Sequence, residues 1–394
     1  MCGLLATSAL ANETTMAPKD TFVLDFGYIN STLDKAWDGN RHAISLIDSL
    51  PRYEPGGGLQ GILSAQPHVE YQLATFQVAY GLFDWLMLVV AVPMVIQTTI
   101  DANFQWTPGD YQSSLGRRYS MDDFWAWAAS MGQPRPPDHW VGNRSTMADM
   151  VIGARAKIPD FSFLQAAGLR MTGTLLIALP TGRDPAPEEL VTAGTTSWDL
   201  HAYGDVEAHL NWDRPFMTND EGISRFNVGG DIYYAFFRPR TLTTPTGKKN
   251  PLILDYAPYV GSTYTIDPGD WFGVGISADW AMFDGPTLNT WLSRKAGSTA
   301  GWPALFVVTV GYTYIATGQT TWTSSSALWD WEREKRWQPG DKNLFKFIAT
   351  LSLLRVGLPL QLYAMWRSQD FIPGRYTRPA EGFTCGLRVI AKFW

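Results

Sequence analysis

The stretch Trp198–Asp213, WDLHAYGDVEAHLNWD, decides the fold, because polar residues alternate along it with small or apolar ones. Successive side chains of a β-strand point to opposite faces, so a period of two predicts a strand. The apolar face consists of Leu200, Ala202, Gly204, Val206, Ala208, Leu210 and Trp212. The polar face consists of His201, Tyr203, Asp205, Glu207, His209, Asn211 and Asp213. A soluble sandwich buries the apolar face, whereas a transmembrane barrel turns it to lipid and the polar face to a wet lumen.

The composition favours the membrane barrel. Aromatic residues make up 14% of the 394 residues, and 18 of them are Trp. Trp and Tyr gather in girdles at the two membrane–water interfaces of barrels. The longest apolar run, Trp85–Ile96, is shorter than the roughly 18 residues of a transmembrane helix and contains Pro93. The soluble alternative is a secreted, Trp-rich carbohydrate-binding β-protein.

The net charge limits the possible partners, and the N-terminal residues indicate export. The net charge of −6 argues against nucleic acid as a partner, because nucleic acid requires a basic surface. Residues Met1–Ala11, MCGLLATSALA, are typical of the end of a secretory signal, with the small residues Ala9 and Ala11 before the cleavage point. We therefore expect residues 1–11 to be a signal-peptide remnant and residues 12–394 to form one outer-membrane barrel domain.

Thirteen segments are predicted as strands, and short and long connections alternate between them, as in outer-membrane barrels. A barrel with both ends in the periplasm needs an even number. Thr287–Lys295 as a further strand gives about fourteen, and twelve is the fallback. We also expect short helices in the outer loops, at His42–Leu50 and at Met121–Met131. The thirteen segments are Thr21–Asn30, Val69–Phe83, Leu86–Ile100, Met147–Ile158, Leu169–Thr181, Trp198–Asp213, Arg225–Phe237, Leu252–Ile266, Trp271–Phe283, Ala304–Ala316, Leu344–Leu354, Leu360–Ser368 and Phe383–Trp394.

Four motifs resemble one family of outer-membrane barrels. They are the hairpin YGLFDW at Tyr80–Trp85 with the following LMLVVAVPMV, the strand Asp149–Ile158, the LPTGR end at Leu179–Arg183, and the final GLPLQLYAMW and GFTCGLRVIAKFW. Together they are similar to the meta-pathway phenol-degradation barrels, which are distant relatives of the long-chain fatty-acid transporter family. The resemblance covers roughly Tyr71–Trp394. It implies passive uptake of small hydrophobic molecules.

Polar residues on the predicted strands are candidates for the lumen. They are Arg155, Lys157, His201, Tyr203, Asp205, Glu207, His209 and Asp231. Opposite charges on neighbouring strands would pair across the interior and narrow it, so these residues either line a solute path or only brace the wall. His201 and His209 lie about 26 Å apart along one strand, too far to share a metal ion. The sequence shows no catalytic motif, so we expect no enzyme activity, cofactor or metal.

The loop before the fourth predicted strand is rich in aromatic residues. Ser120 can cap the helix Met121–Met131, because Asp123 follows at the spacing of a capping box. Phe124, Trp125 and Trp127 on this helix either collect hydrophobic solutes or pack the loop onto the barrel rim, and packing is the favoured interpretation.

Two functions remain besides the soluble alternative. The leading hypothesis is a channel for passive uptake of small hydrophobic or aromatic compounds. The second is a plugged scaffold barrel whose outer loops bind a protein partner. In both, outer-membrane lipid and lipopolysaccharide surround the barrel.

Overall fold

A computed structural model describes residues 16–46, 49–110, 116–130, 135–142, 145–182, 205–218, 224–243, 263–285, 303–323, 340–375, 379 and 381–392. Within these ranges twelve antiparallel strands close into a barrel. They are β1 (Thr21–Leu33), β2 (His68–Phe83), β3 (Leu86–Asp101), β4 (Met150–Lys157), β5 (Arg170–Leu179), β6 (Val206–Thr218), β7 (Ser224–Phe236), β8 (Trp271–Phe283), β9 (Phe306–Thr317), β10 (Asp341–Ser352), β11 (Leu360–Ser368) and β12 (Glu381–Lys392).

Each strand pairs with its neighbours in sequence, and β12 pairs with β1 to close the ring. Closure leaves no unpaired sheet edge along the wall. The even number places the start of β1 and the end of β12 at the same end, which also carries the short turn between β2 and β3. Short turns are typical of the periplasmic side, so this end is periplasmic and most of the longer connections lie at the outer end.

The all-β antiparallel barrel is confirmed, with the fallback count of twelve strands rather than fourteen. Leu252–Ile266 is not a barrel strand: its described part, in Thr263–Asp267, pairs with Arg240–Thr243 and Thr321–Thr323 in a separate outer sheet. A short outer sheet also has two faces, so its sequence alternates like a barrel strand. The segment Thr287–Lys295 lies outside the described residues.

The two faces of β6 match the alternation that predicts it, although the strand begins at Val206 and the first half of Trp198–Asp213 lies outside the described residues. Val206 and Leu210 point outward and are exposed, while Glu207, His209 and Asn211 are buried inside. The outward positions of neighbouring strands are also apolar and exposed, and they form an apolar belt. Its members include Leu175, Ile177, Ile232, Phe236, Phe272, Val274 and Ile276.

At the outer end of the barrel, two short strands that precede β4 in the chain complete the wall beside β3. The outer half of β3 pairs with His139–Gly142 and Thr146–Met147, whereas its periplasmic half pairs with β4. The neighbouring outer structure consists of helix α1 (Met121–Ser130) and a sheet of Leu50–Tyr53, Leu59–Ala65 and Phe104–Pro108.

The predicted helix His42–Leu50 is wrong in the residues that the structure describes. Ala43–Ile44 pairs instead with Ala36–Trp37 in a small hairpin, and Leu50 begins a strand. Asp38 organises the hairpin, because its Oδ1 accepts the backbone N–H groups of Asn40 and His42, each at 2.8 Å. The hydrogen bond from the His42 backbone lowers the pKa of Asp38.

On the periplasmic side, helix α2 (Ser162–Ala167) connects β4 to β5 and ends at Gly168, whose φ of 65° suits glycine. A turn of 3-10 helix at Leu354–Val356 connects β10 to β11. Among the described residues, no helix is both long and apolar enough to cross a membrane.

Candidate functional site: the barrel lumen

The inner wall of the barrel carries polar and charged side chains, as expected for the face opposite an apolar belt. Arg155, Glu207, Asp231, Lys346 and Arg367 all point inward and are buried. Charged side chains avoid water only when other side chains surround them. Other side chains of the described inner wall therefore surround these five charged groups.

One polar cluster lies where the barrel closes. Asp25 on β1 accepts hydrogen bonds from Nε of Arg388 on β12 at 2.9 Å and from the hydroxyl of Tyr363 on β11 at 2.8 Å. Arg388 also donates to Gln361 at 3.4 Å. The carboxylate thus has a full ion pair and a second donor in the interior, which offsets the cost of burying it.

A second cluster combines residues of β6 and β7. The Nε2 of His209 lies 3.1 Å from Oε2 of Glu207, and the His209 ring stacks on Tyr233 at 5.1 Å between centroids. Next to them Asp231 lies within electrostatic range of Lys346. The cluster holds both signs of charge on three strands, β6, β7 and β10.

Two inward tyrosine rings each lie over a glycine on the neighbouring strand. A Cβ at Gly273 would sit 1.9 Å from the Tyr233 ring, and one at Gly386 would sit 2.2 Å from the Tyr363 ring. Only glycine leaves room for a ring in that position. These glycines allow each ring to lie flat against the wall.

Towards the outer end the inner wall changes from polar to apolar. We name this region the apolar inner patch. The connection that follows β1 covers it, with Ala36 and Leu46 packed into the patch. The patch consists of inward side chains of β1, β2 and β3, namely Ile29, Leu33, Val69, Tyr71, Leu73, Val95 and Ile100.

At the periplasmic end the residues before β1 enter the mouth of the barrel. Ala17 is buried and packs on the inward side chains Ala79, Met87 and Val89. The backbone N–H of Asp20 donates to the carbonyl of Gly81 at 2.8 Å. We name Met16–Asp20 the N-terminal strap.

The structure places the predicted lumen residues in three groups. Arg155, Glu207, His209 and Asp231 lie on the inner wall and are buried, and Nε of Arg155 donates to the hydroxyl of Thr174 at 3.0 Å. Asp205 lies at the outer rim, where it forms an ion pair with Arg238 at 2.9 Å.

The remaining predicted lumen residues are elsewhere. Lys157 lies at the periplasmic rim, where it pairs with Asp160 at 2.9 Å and is well exposed. It is therefore apart from the buried group. His201 and Tyr203 lie outside the described residues.

The aromatic residues of helix α1 lie in the outer region. Phe124 and Trp125 are buried against the outer sheet, together with Leu63 and Phe104. Trp127 is 42% exposed, and the guanidinium of Arg52 lies 4.6 Å from its ring centroid. Most of the apolar surface of this helix is thus used in packing, and one ring remains accessible.

Several inner-wall residues were not predicted from the sequence. Asp25, Lys346, Tyr363 and Arg388 were not among its candidates, although all belong to the inner wall. A signal was present for Arg388, because it falls between Leu387 and Val389, which share the outward phase of the last strand. Every polar residue that alternates with an outward apolar position is a candidate for the lumen.

A closed antiparallel barrel with an apolar belt and a polar interior defines an outer-membrane β-barrel protein. The chain accordingly resides in a bacterial outer membrane. An outer-membrane channel from Pseudomonas putida F1 has a similar structure, with a TM-score of 0.52 and 10% sequence identity over 97% of this chain and 98% of that chain. At this identity the likeness shows the fold.

Two further solved barrels have lower TM-scores. A FadL homologue from Pseudomonas aeruginosa has a TM-score of 0.33 and 11% identity, with 95% of this chain and 90% of that chain covered. The TodX monoaromatic hydrocarbon channel, in a deletion mutant, has a TM-score of 0.37 and 8% identity, with 96% and 91% covered. No family model and no curated protein matches the chain. The resemblance to the meta-pathway family therefore stays a prediction.

Proposed function

We propose that this barrel is a channel for the passive uptake of small hydrophobic or aromatic compounds. The observation that carries the proposal is the apolar inner patch. The interior of an outer-membrane barrel is ordinarily polar, so an apolar surface at its outer end favours apolar solutes. A polar solute would gain nothing from this surface, because it would lose hydrogen bonds to water there.

The cover of the patch suggests where a solute would enter. Leu46 and Ala36 occupy the apolar surface that the solute would use. In our proposal the solute displaces this cover and replaces its apolar contacts. The buried polar clusters then form the narrow part of the path, with Glu207, His209 and Asp231 as lining residues. This limits the channel to small molecules.

The accessible ring of helix α1 has a role in the same proposal. Trp127 would collect aromatic solutes at the outer surface, whereas Phe124 and Trp125 hold the helix in place. Trp127→Ala is expected to lower uptake without changing assembly. Trp85→Ala is the matched control, because Trp85 is also exposed, at 55%, but lies in the periplasmic turn between β2 and β3.

The test is uptake of a radiolabelled monoaromatic hydrocarbon by cells whose lipopolysaccharide barrier is intact, with and without the barrel. Leu46→Ala should increase uptake several-fold because it loosens the cover, and Leu73→Gln should decrease it because it makes the patch polar. Leu63→Ala serves as the control, because Leu63 is buried in the outer sheet away from the lumen. If the parent barrel gives no uptake above the empty membrane, the channel proposal is wrong.

The buried charges favour a second candidate, a plugged scaffold barrel that binds a protein partner through its outer loops. Arg155 is 1% exposed and Lys346 is 5% exposed, so the inner wall holds these two charged side chains away from water, as a plugged interior would. A scaffold barrel predicts neither ion conductance nor solute uptake. Single-channel recording of the purified chain in planar bilayers, together with the uptake assay, separates the two candidates.

A further inference from the structure

The outward face of β10 changes from apolar to polar towards the outer end of the barrel. Lys346 points inward, so Phe347, Phe345, Asn343 and Asp341 follow one another on the outward side. Charged groups do not face hydrocarbon, so the boundary between the hydrocarbon and the lipid headgroups falls between Phe345 and Asp341. Asp341 therefore lies at the level of the headgroups.

The connection that follows β11 packs on the outside of the wall at this level. The ring of Phe345 lies 4.9 Å from that of Tyr312 on β9 and 4.8 Å from that of Phe371, between centroids. The side-chain amide of Asn343 donates to the carbonyl of Pro373 at 3.4 Å. Phe371 is nonetheless 69% exposed. An exposed aromatic ring at this level is typical of the outer girdle, where rings contact lipid.

Two arginines from distant parts of the chain meet at Asp341. Nη2 of Arg41, in the connection that follows β1, lies 3.1 Å from Oδ2 of Asp341. The backbone N–H of Arg375 donates to Oδ1 of Asp341 at 2.9 Å, and Nε of its side chain lies 4.0 Å from the same oxygen. The side chains of Arg41 and Arg375 are 43% and 60% exposed, so both guanidinium groups are accessible to a ligand.

The arginines lie close to the outward aromatic rings. Tyr312, which points outward from β9, is within electrostatic range of both Arg41 and Asp341. The arginine pair and the exposed ring of Phe371 therefore belong to one surface, charged on its outer side and apolar on its membrane side.

Positive charge exceeds negative charge within this group, because two guanidinium groups flank one carboxylate, that of Asp341. Two further carboxylates nearby have their own partners. Asp38 accepts backbone N–H groups of its own turn, and Asp370 pairs with Lys35 at 2.7 Å. A positive group beside an exposed aromatic ring fits an amphipathic anion.

We propose that Arg41, Arg375 and Phe371 bind a phosphate-bearing headgroup of lipid A, the lipid anchor of lipopolysaccharide. Lipid A carries its phosphates on sugars directly above the acyl chains, which is the level of this surface. Arginine binds phosphate through charge-assisted hydrogen bonds. The phosphate contacts both guanidinium groups, and Phe371 packs on the upper part of an acyl chain. This site does not depend on solute uptake.

The test is binding of purified lipid A with both phosphates to the full chain in detergent, measured by native mass spectrometry over a concentration series. The parent should bind it at least about tenfold more tightly than dephosphorylated lipid A. Arg41→Gln and Arg375→Gln should each weaken binding about tenfold, since each removes charge-assisted hydrogen bonds to the phosphate. Neither should change binding of the dephosphorylated lipid.

Arg238→Gln is the matched control. Arg238 is an outer arginine whose side chain is 56% exposed, in a 2.9 Å ion pair with Asp205. Asp205 has the inward phase of β6, so this pair lies at the mouth of the barrel and not on its lipid side. Its substitution should leave lipid A affinity unchanged. Phe371→Ser should weaken binding of both lipids, because the ring contacts the acyl chain and not the phosphate.

Inorganic phosphate distinguishes a lipid site from a site for free phosphate, and at equal concentration it should not displace lipid A. The proposal is overturned if it does, or if dephosphorylated lipid A binds as tightly as the phosphorylated form. It is also overturned if either arginine variant keeps the parent affinity, or if Arg238→Gln loses as much as they do. Heat-modifiable migration on gels, which a folded barrel retains, shows that each variant has assembled.

Discussion

Arg388 donates through Nε to Asp25 at 2.9 Å across the seam where the last strand of the barrel meets the first. The two residues are 363 positions apart in the chain. Both are largely buried, and the hydroxyl of Tyr363 reaches the same carboxylate. The pair thus holds together the two ends of the barrel wall in its interior.

Arg388→Met should destabilise the barrel by about 3–5 kcal/mol, because it leaves the buried carboxylate of Asp25 without its cation. Unfolding by urea in lipid vesicles, followed by Trp fluorescence, measures the loss. The control is Lys35→Gln, which breaks the half-exposed ion pair of Lys35 with Asp370 and should cost about 0–1 kcal/mol. Similar costs for both variants would contradict the structural role of the seam pair.

Substitutions on β6 alone can test which face of the strand contacts lipid. Leu210→Arg should cost about 2–4 kcal/mol, because Leu210 lies near the middle of the outward apolar face. Val206→Arg should cost less, since Val206 is the first residue of the strand, at the outer interface. Glu207→Gln should be mild, because it points inward and keeps its shape. The yield of heat-modifiable barrel and the urea midpoint report these costs, and equal damage at positions 207 and 210 would exclude this assignment of faces.

Tyr233 should limit the width of the lumen. It is 5% exposed and lies against the inner wall, whereas Tyr234 on the same strand points outward and is 48% exposed. Tyr233→Ala should raise single-channel conductance, and Tyr234→Ala should leave it unchanged. No increase for Tyr233→Ala would show that another level of the lumen sets its width.

Helix α1 has a capping box that makes its stability depend on pH. Oδ2 of Asp123 accepts the backbone N–H of Ser120 at 2.8 Å, and Arg117 donates to the same carboxylate. The hydrogen bonds from Arg117 and then from Ser120 lower the pKa of Asp123. Because the pKa of Asp123 is lower in the folded state, its ionised carboxylate stabilises the helix at pH values above the unfolded carboxyl pKa of about 3.9. This stabilisation is lost progressively as the pH falls from there through the lowered folded pKa.

Asp123→Ala should therefore weaken the helix by about 1 kcal/mol at neutral pH, which corresponds to roughly fivefold faster amide exchange. Hydrogen exchange with mass spectrometry of the peptide that covers α1 measures this. Asp122→Ala is the control, because Asp122 lies in the same first turn but does not form the box. Equal exchange in both variants would contradict the capping role.

The N-terminal processing remains a prediction, because residues 1–15 lie outside the described ranges. Intact-mass measurement of the chain extracted from outer membranes should give Asn12 as the first residue. A mature chain that retains Met1 would contradict the signal-peptide interpretation.

The sequence predicts the barrel well, because each membrane strand needs a continuous lipid face and the period of two follows from it. The same logic identified Glu207, His209 and Asp231 as inward residues. It failed at Leu252–Ile266, because the strands of a small outer sheet also have two different faces. The connection lengths could not reveal this error. Only three residues separate the outer strand Thr263–Asp267 from β8, so the connection resembles a tight turn between two barrel strands.

The partners of the lumen residues could not be predicted. Alternation gives the side of the wall on which Asp25 lies, but not that Arg388 and Tyr363 meet it there. These contacts depend on the strand order, the closure of the ring and the register between strands. The capping box of α1 was predictable because its two residues are three positions apart.

The coverings at the two ends of the lumen come from one part of the chain. The N-terminal strap packs on β2 and β3, and the apolar inner patch, with its cover, is built from residues between Ile29 and Ile100. This part leaves the ribosome and crosses the inner membrane before the other strands. The N-terminal strap and the cover of the apolar inner patch can therefore pack at the two ends of the lumen while the ring is still open. Pairing of the last strand with the first then closes a lumen whose two ends are already covered.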